Sequence, residues 1–432
     1  MIKNYCLNVG EAIAEYSPNP VFRKYGDNIL DLVQEAPKDL LVCGAADEEF
    51  STEAIGIPMD GKQFNACILG QKGSGKTNLL MLLVNQLYWR YGLPCALFDP
   101  KWELFTHLQK NSHFEERLLD FGLTPRALPS VIATPSPAAR DFNHARNGYV
   151  YRLNLNDFKR IDNASELFNT LINFFNVGDS VPAKNSLIRW IVKLPNDFEE
   201  FVELLAHESK KIVEGSNISR QGGSSLLNSL QSMRLGKSIG KGNGLYAPSV
   251  MLSGDSRRAV IFQLSLDGAA DHILSNYVKM ALVDIRRDRS NFLANGKGFL
   301  SKSPVMAFDE VDLFCPINHN PVCKSVIENF YTKLRYLSIF NIVATQKPAY
   351  LSDKLVENSD YLFTTKLNSK AERDVLKYRG LADEDINNLM LGLKFERSDP
   401  VKEFGLVLPD ASVEYLFPLP SPSRMFEEQR SF

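Results

Sequence analysis

The chain has 432 residues, room for one large α/β domain with additions or for two to three ordinary domains, and its 44% hydrophobic and 23% charged composition excludes fibrous and disordered classes. Its 49 Lys and Arg against 51 Asp and Glu leave a net charge of −2, so any contact with nucleic acid must come from a local basic surface. The six cysteines show no C-x-x-C pair and no metal-ligand spacing, and neither a signal-peptide core nor a run of 18 apolar residues occurs; a cytoplasmic protein with reduced thiols and no membrane anchor of its own is expected.

Residues 1–60 mix short helical and strand-like pieces and close on FSTEAIGIPMDGKQ, where Gly56, Pro58 and Gly61 punctuate extended segments. A small N-terminal subdomain is expected there. Residues 61–150 then begin the main α/β core. Within them, ACILGQKGSGKTNLL (66–80) carries an apolar run into a glycine-rich turn that a leucine-rich helix leaves. Gly70, Gly75, Lys76 and Thr77 fill every fixed position of G-x-x-x-x-G-K-[ST], and Gly73 adds a third flexible residue. Backbone N–H groups that turn inward around a phosphate need φ angles glycine adopts cheaply, and the start of the following helix adds unpaired N–H groups and partial positive charge. The loop Gly70, Gln71, Lys72, Gly73, Ser74, Gly75, Lys76, Thr77 and Asn78 therefore reads as a nucleotide-phosphate cradle, with Lys76 reaching the β/γ-phosphates and Thr77 ligating Mg²⁺. Gly92 and Pro94 end the helix.

CALFDPKWELF follows, a strand from Cys95 running into Asp99 and Glu103; these carboxylates either orient a water or a neighbouring subunit's group, or simply cap a turn. Residues 130–134 read as another strand. From 151 to 250, ASELFNTLINFFNV, NSLIRWIVKL and DFEEFVELLAHESKKIVE repeat apolar residues at three and four spacing, so a mainly helical insertion is expected, ending in the Gly-rich basic stretch around Arg234, Lys237 and Lys241. The core resumes over 251–432 with RRAVIFQLSL as a strand and HILSNYVKMALVDIRRDR as a helix; strands alternating with helices indicate a mostly parallel sheet.

PVMAFDEVDLF (304–314) is the second strong signal, an apolar strand ending in Asp309-Glu310. Asp309 is placed to hold a phosphate-bound Mg²⁺, and Glu310 to polarise an attacking water as general base. Asp312 reads as a helix-capping or surface residue. IFNIVATQKP then gives a strand whose tip presents Gln346, a candidate sensor of the γ-phosphate, while Arg335 before it is a candidate charge stabiliser in its own or a neighbouring site. The tail supplies one more strand, two helices and KEFGLVLPD as a further strand; its Pro-rich end, PLPSPSRMF, is expected to be extended and placed for another subunit.

The order ILGQKGSGKTN, DPKWE, AFDEVD, LRYLSIFNIVATQKP resembles the HerA and FtsK superfamily of ring-forming P-loop ATPases over roughly residues 55 to 408. The resemblance implies a RecA-like (ASCE) P-loop NTPase core with a mostly parallel sheet. It implies ATP and Mg²⁺ as ligands, Lys76, Glu310, Gln346 and Arg335 as the catalytic set, Thr77 and Asp309 at the metal, and a hexamer that moves double-stranded DNA. Related members act on protein substrates, and two alternatives stay open: an ATPase powering protein secretion or assembly through a membrane partner, or a nucleotide-gated scaffold for an effector such as a nuclease. Departures are the short N-terminal region, the absence of membrane segments before the motor and of a winged helix after it, and Lys72 and Asn78 in place of the more usual Thr and Ser. The motifs assign no trans arginine finger; Arg234, Arg257 and Arg258 are candidates.

Overall fold

A computed structural model describes residues 39–46, 54–60, 62–101, 103–104, 107, 109–134, 149–152, 248–253, 259–264, 271–394 and 403–423, and every structural statement below is made of these. The expected helical insertion, with Arg234, Lys237 and Lys241, lies almost wholly outside them, as do Arg257, Arg258 and residues 1–38.

Twelve strands form one sheet: β1 (Leu40–Ala45), β2 (Ala54–Pro58), β3 (Asn65–Leu69), β4 (Cys95–Asp99), β5 (Ser130–Thr134), β6 (Tyr149–Arg152), β7 (Ala259–Gln263), β8 (Val305–Phe308), β9 (Phe340–Thr345), β10 (Tyr361–Thr364), β11 (Phe404–Val407) and β12 (Val413–Pro418). Their order is β2-β1-β12-β11-β10-β3-β9-β8-β4-β7-β5-β6. From β10 to β6 every pairing is parallel, as the alternation of strands and helices predicts. The P-loop strand β3 sits between β10 and β9 in register, with Asn65 opposite Asn341 and Leu69 opposite both Thr345 and Thr364.

Strands β3, β4, β7, β8 and β9 are buried along their whole length, which is why they read as continuous apolar runs rather than alternating ones. Alternate side chains still serve opposite faces. Ala96 and Phe98 of β4 join one cluster and Cys95 and Leu97 the other. On the first face Phe98 stacks between Phe262 and Phe308, centroids 4.7 and 4.2 Å away, tying β7, β4 and β8 together beneath α2 (Asp271–Asn295) and α3 (Lys324–Thr332). On the second face lies α1 (Lys76–Trp89), with Leu79 to Val84 and Leu87 all inaccessible to solvent.

Beyond Lys76, two polar residues of α1 are buried among these apolar ones, and their amide N–H groups donate to backbone or tail groups. The Gln86 side chain exchanges two hydrogen bonds with the backbone of Val42 in β1, at 2.9 and 2.6 Å. Asn85 Nδ2 donates to the Ser421 and Ser423 hydroxyls. The second of these corrects an expectation: Leu419 to Ser423 lie along α1 of their own chain, fastened by Asn78 at both Leu419 O and Ser421 N, and by Asn111 at Ser421 O. Pro422 and Ser423 are further held by the 107–126 segment.

The antiparallel wing β11-β12-β1-β2 was not foreseen. Its strand β12, VEYLFP, is half exposed and bears Glu414 between apolar neighbours, so its pattern carries little signal by itself. Through it the described part of the N-terminal region, β1 and β2, continues the core sheet. Helix α3 stops at Thr332, and a separate 3₁₀ turn spans Arg335–Leu337.

Candidate active site at the carboxyl edge of the sheet

The P-loop follows β3 and closes onto α1. Gly73 and Gly75 take left-handed backbone, φ 80° and 84°, the conformations that turn successive N–H groups inward. Gly70 is required by close approach instead: a Cβ there would collide with the Thr365 and Ser74 hydroxyl oxygens. Lys76 is 4% exposed, and its ammonium donates to Gln71 O at 2.7 Å, folded over the loop that would receive phosphate. Burial lowers its pKa to about 8, against the opposing pull of the Glu310 and Asp309 carboxylates.

Strand β8 delivers Asp309 and Glu310 at the same edge. Thr77 Oγ1 donates to Asp309 Oδ2 at 3.2 Å, joining groups 232 positions apart in the chain. Asp309 is 1% exposed; burial, followed by the charges of Glu310, Asp99 and Glu103, pushes its carboxyl up to about 7. Glu310 stands at φ 49°, ψ 49°, a left-handed conformation uncommon outside glycine, and such outliers cluster at functional sites. Its side chain meets Lys101, Nζ to Oε1 2.8 Å.

Asp99 shapes the turn that leaves β4. Fully buried at the end of β4, it accepts from the backbone N–H groups of Lys101 and Leu104, at 2.9 and 2.8 Å. Burial raises its pKa to about 6, against the lowering by these amides. Glu103 is half-buried in the same turn.

Gln346 follows the last residue of β9 and is half-buried beside the P-loop, where Gly70 N–H donates to Thr345 O at 3.3 Å. Asp312 is a correction. Rather than a surface cap it is 6% exposed and accepts from Thr345 Oγ1 at 2.6 Å, joining the Asp309-Glu310 turn to the base of the Gln346 tip. Arg335 is the residue the fold does not bring here. It pairs with Asp360 at 3.1 Å and donates to Asn358 O, both just before β10, so it stands at the amino edge of a sheet whose other candidate site residues are at the carboxyl edge. With β9 between, about 20 Å of extended chain separates it from Gln346, which removes the reading of Arg335 as a stabiliser of its own subunit's site.

Lys101 and Asp312 are thus the site residues that the motifs did not single out. Lys101 had a signal, its place in DPKWE directly after a strand that ends at the catalytic edge; Asp312 had none, since its partner Thr345 is distant in sequence.

The donor set fits Mg²⁺. A hydroxyl and a carboxylate, Thr77 Oγ1 and Asp309 Oδ2, converge, oxygen donors of the kind a hard cation takes together with water and phosphate oxygens.

No family model matches the chain, and no curated protein matches it. Solved structures do. The structure of VirB4 of Thermoanaerobacter pseudethanolicus matches at 16% identity and TM-score 0.55, covering 88% of this chain and 96% of that one. The bacterial conjugative coupling protein TrwBdeltaN70, in its unbound monoclinic form, matches at 12% identity and TM-score 0.52, covering 92% and 94%. The chain therefore has the α/β P-loop NTPase fold shared by VirB4 and TrwB, the one that its resemblance to the HerA and FtsK superfamily implies.

Proposed function

We propose that this protein is a Mg²⁺-dependent ATP hydrolase that couples turnover to movement of double-stranded DNA through a ring of its own copies, a hexamer in the reading the HerA and FtsK resemblance favours. The observation that carries the hydrolase is the Thr77–Asp309 hydrogen bond with Glu310 beside it, because it assembles phosphate cradle, metal ligands and base at one spot. Gly70 to Asn78 bind the triphosphate, and Lys76 turns from Gln71 O to the β/γ-phosphates. Thr77 and Asp309 would hold Mg²⁺, which when bound shields phosphate charge. Glu310 accepts the proton of a water whose oxygen bonds to the γ-phosphorus; the bond to the β,γ-bridging oxygen breaks, and its electron pair leaves with ADP. Gln346 is placed to contact the γ-phosphate or that water. Arg335, about half exposed at the far edge, is then available to a neighbouring subunit's site.

Replacing Glu310 by Gln tests the hydrolase. ATP binding should persist while turnover falls by about 10² to 10⁴, the range for loss of a general base; turnover kept in this variant removes Glu310 from the mechanism.

The DNA substrate rests on the HerA and FtsK resemblance and on TrwB, a conjugative coupling protein. A channel needs only one or two cations per subunit, since symmetry repeats them. The net charge of −2 argues against extensive phosphate contact and keeps open the second reading, a protein substrate delivered through a membrane partner. Action in the cytoplasm is supported by five described cysteines, all unpaired and buried. No helix among the described residues is long and apolar enough to cross a membrane.

A further inference from the structure

Lys101 is the one cation, among the described residues, in an ion pair with the proposed base. Its position is built rather than incidental. Asp99 accepts from the Lys101 and Leu104 amides, and Pro100 between them limits the backbone, so the turn that leaves β4 has one shape and projects Lys101 toward the end of β8 next door. Glu310 is committed from its own side by a left-handed backbone, and its N–H donates to Asp309 Oδ1 at 3.1 Å. The side chain is 5% exposed, and the Lys101 ammonium approaches it at Oε1. Among the described residues no hydrogen bond reaches Oε2.

A carboxylate serving as general base needs one oxygen with a free lone pair aimed at the water and a rotamer that does not wander. A short ion pair on the other oxygen supplies the second condition without consuming the first. On the proposed hydrolase reading, we infer that Lys101 is a positioning residue for the reaction, holding Oε1 of Glu310 so that Oε2 is presented to the attacking water. The Lys101 side chain is about one-third exposed.

The test compares Lys101→Met, which keeps the stem and removes the charge, with Lys101→Arg, which keeps a donor. ATP turnover, KM and thermal melting are measured for the full chain, with Lys76→Ala as the blank. Lys101→Met should lower kcat by about tenfold to a hundredfold, the scale of a misplaced catalytic group, with KM changed less than twofold and the melting temperature unchanged; Lys101→Arg should recover a large part of kcat. Three results would overturn the inference while leaving the hydrolase intact: an unchanged kcat in Lys101→Met, a raised kcat, which would make Lys101 a restraint, or a raised KM at constant kcat, which would make it a phosphate ligand. Absence of any Lys76-dependent turnover in the unaltered chain would overturn both readings.

Discussion

Asp309 is buried among carboxylates before any metal arrives, and its raised pKa, about 7, is a statement about stability. The folded state prefers the protonated form, so the contribution of this group is fully present near pH 4 and is lost as pH rises through 7. Bound Mg²⁺ demands the opposite form, and its affinity should therefore rise with pH up to about 7 and then level. Asp309→Asn separates the two effects: at pH 8 the ligand-free protein should melt at the same or a higher temperature than the unaltered chain while losing Mg²⁺-dependent turnover. A drop of several degrees would show that Asp309 is structural. The charged groups of the site were readable because the chemistry confines Gly, Lys, Thr, Asp and Glu to a few spacings. Lys101 and Asp312 were less so, because each acts through a partner that only the parallel register brings near.

At the scale of elements the alternation of buried strands with helices was legible. The antiparallel wing was not, since β12 is short, partly charged and held by pairing with β11 and β1 rather than by its own apolar pattern. The tail beyond β12 illustrates the limit of composition. PLPSPS reads as an extended segment placed for another subunit, yet Ser421 and Ser423 are buried in their own chain, where Asn78, Asn85, Asn111 and His107 supply partners for the polar groups of an irregular segment. Burial holds His107 neutral, its pKa near 3, and its Nδ1 lies 2.6 Å from Ser423 Oγ. Asn85→Ala removes the donor to both serines and to Met81 O, so a loss of about 1–3 kcal/mol in denaturant unfolding is expected, the scale of stranded buried polar groups. A change within about 0.5 kcal/mol would mean that the tail is not fastened by these bonds.

Across the whole molecule the sheet separates two sets of charged groups. Its carboxyl edge gathers Gly70 to Thr77, Asp309, Glu310 and Gln346, and its amino edge carries Arg335 in a pair with Asp360 that leaves it about half exposed. A ring in which the amino-edge surface of one copy faces the carboxyl edge of the next would complete each site from two chains, and movement of a polymer through the centre would follow from sequential turnover. The near-zero net charge concentrates the question on local cations. Binding to DNA phosphates releases counterions, so log K falls with log salt at a slope near −0.9 per contact, which a protein substrate need not show. The measurement that tests the account most directly is the ATP hydrolysis rate of the purified chain with and without linear double-stranded DNA across a salt series, with Lys76→Ala as the blank. The account predicts a Lys76-dependent rate that DNA raises several-fold at low salt and that returns toward the basal value as salt increases. A Lys76-dependent rate that DNA leaves unchanged at every salt concentration would contradict it.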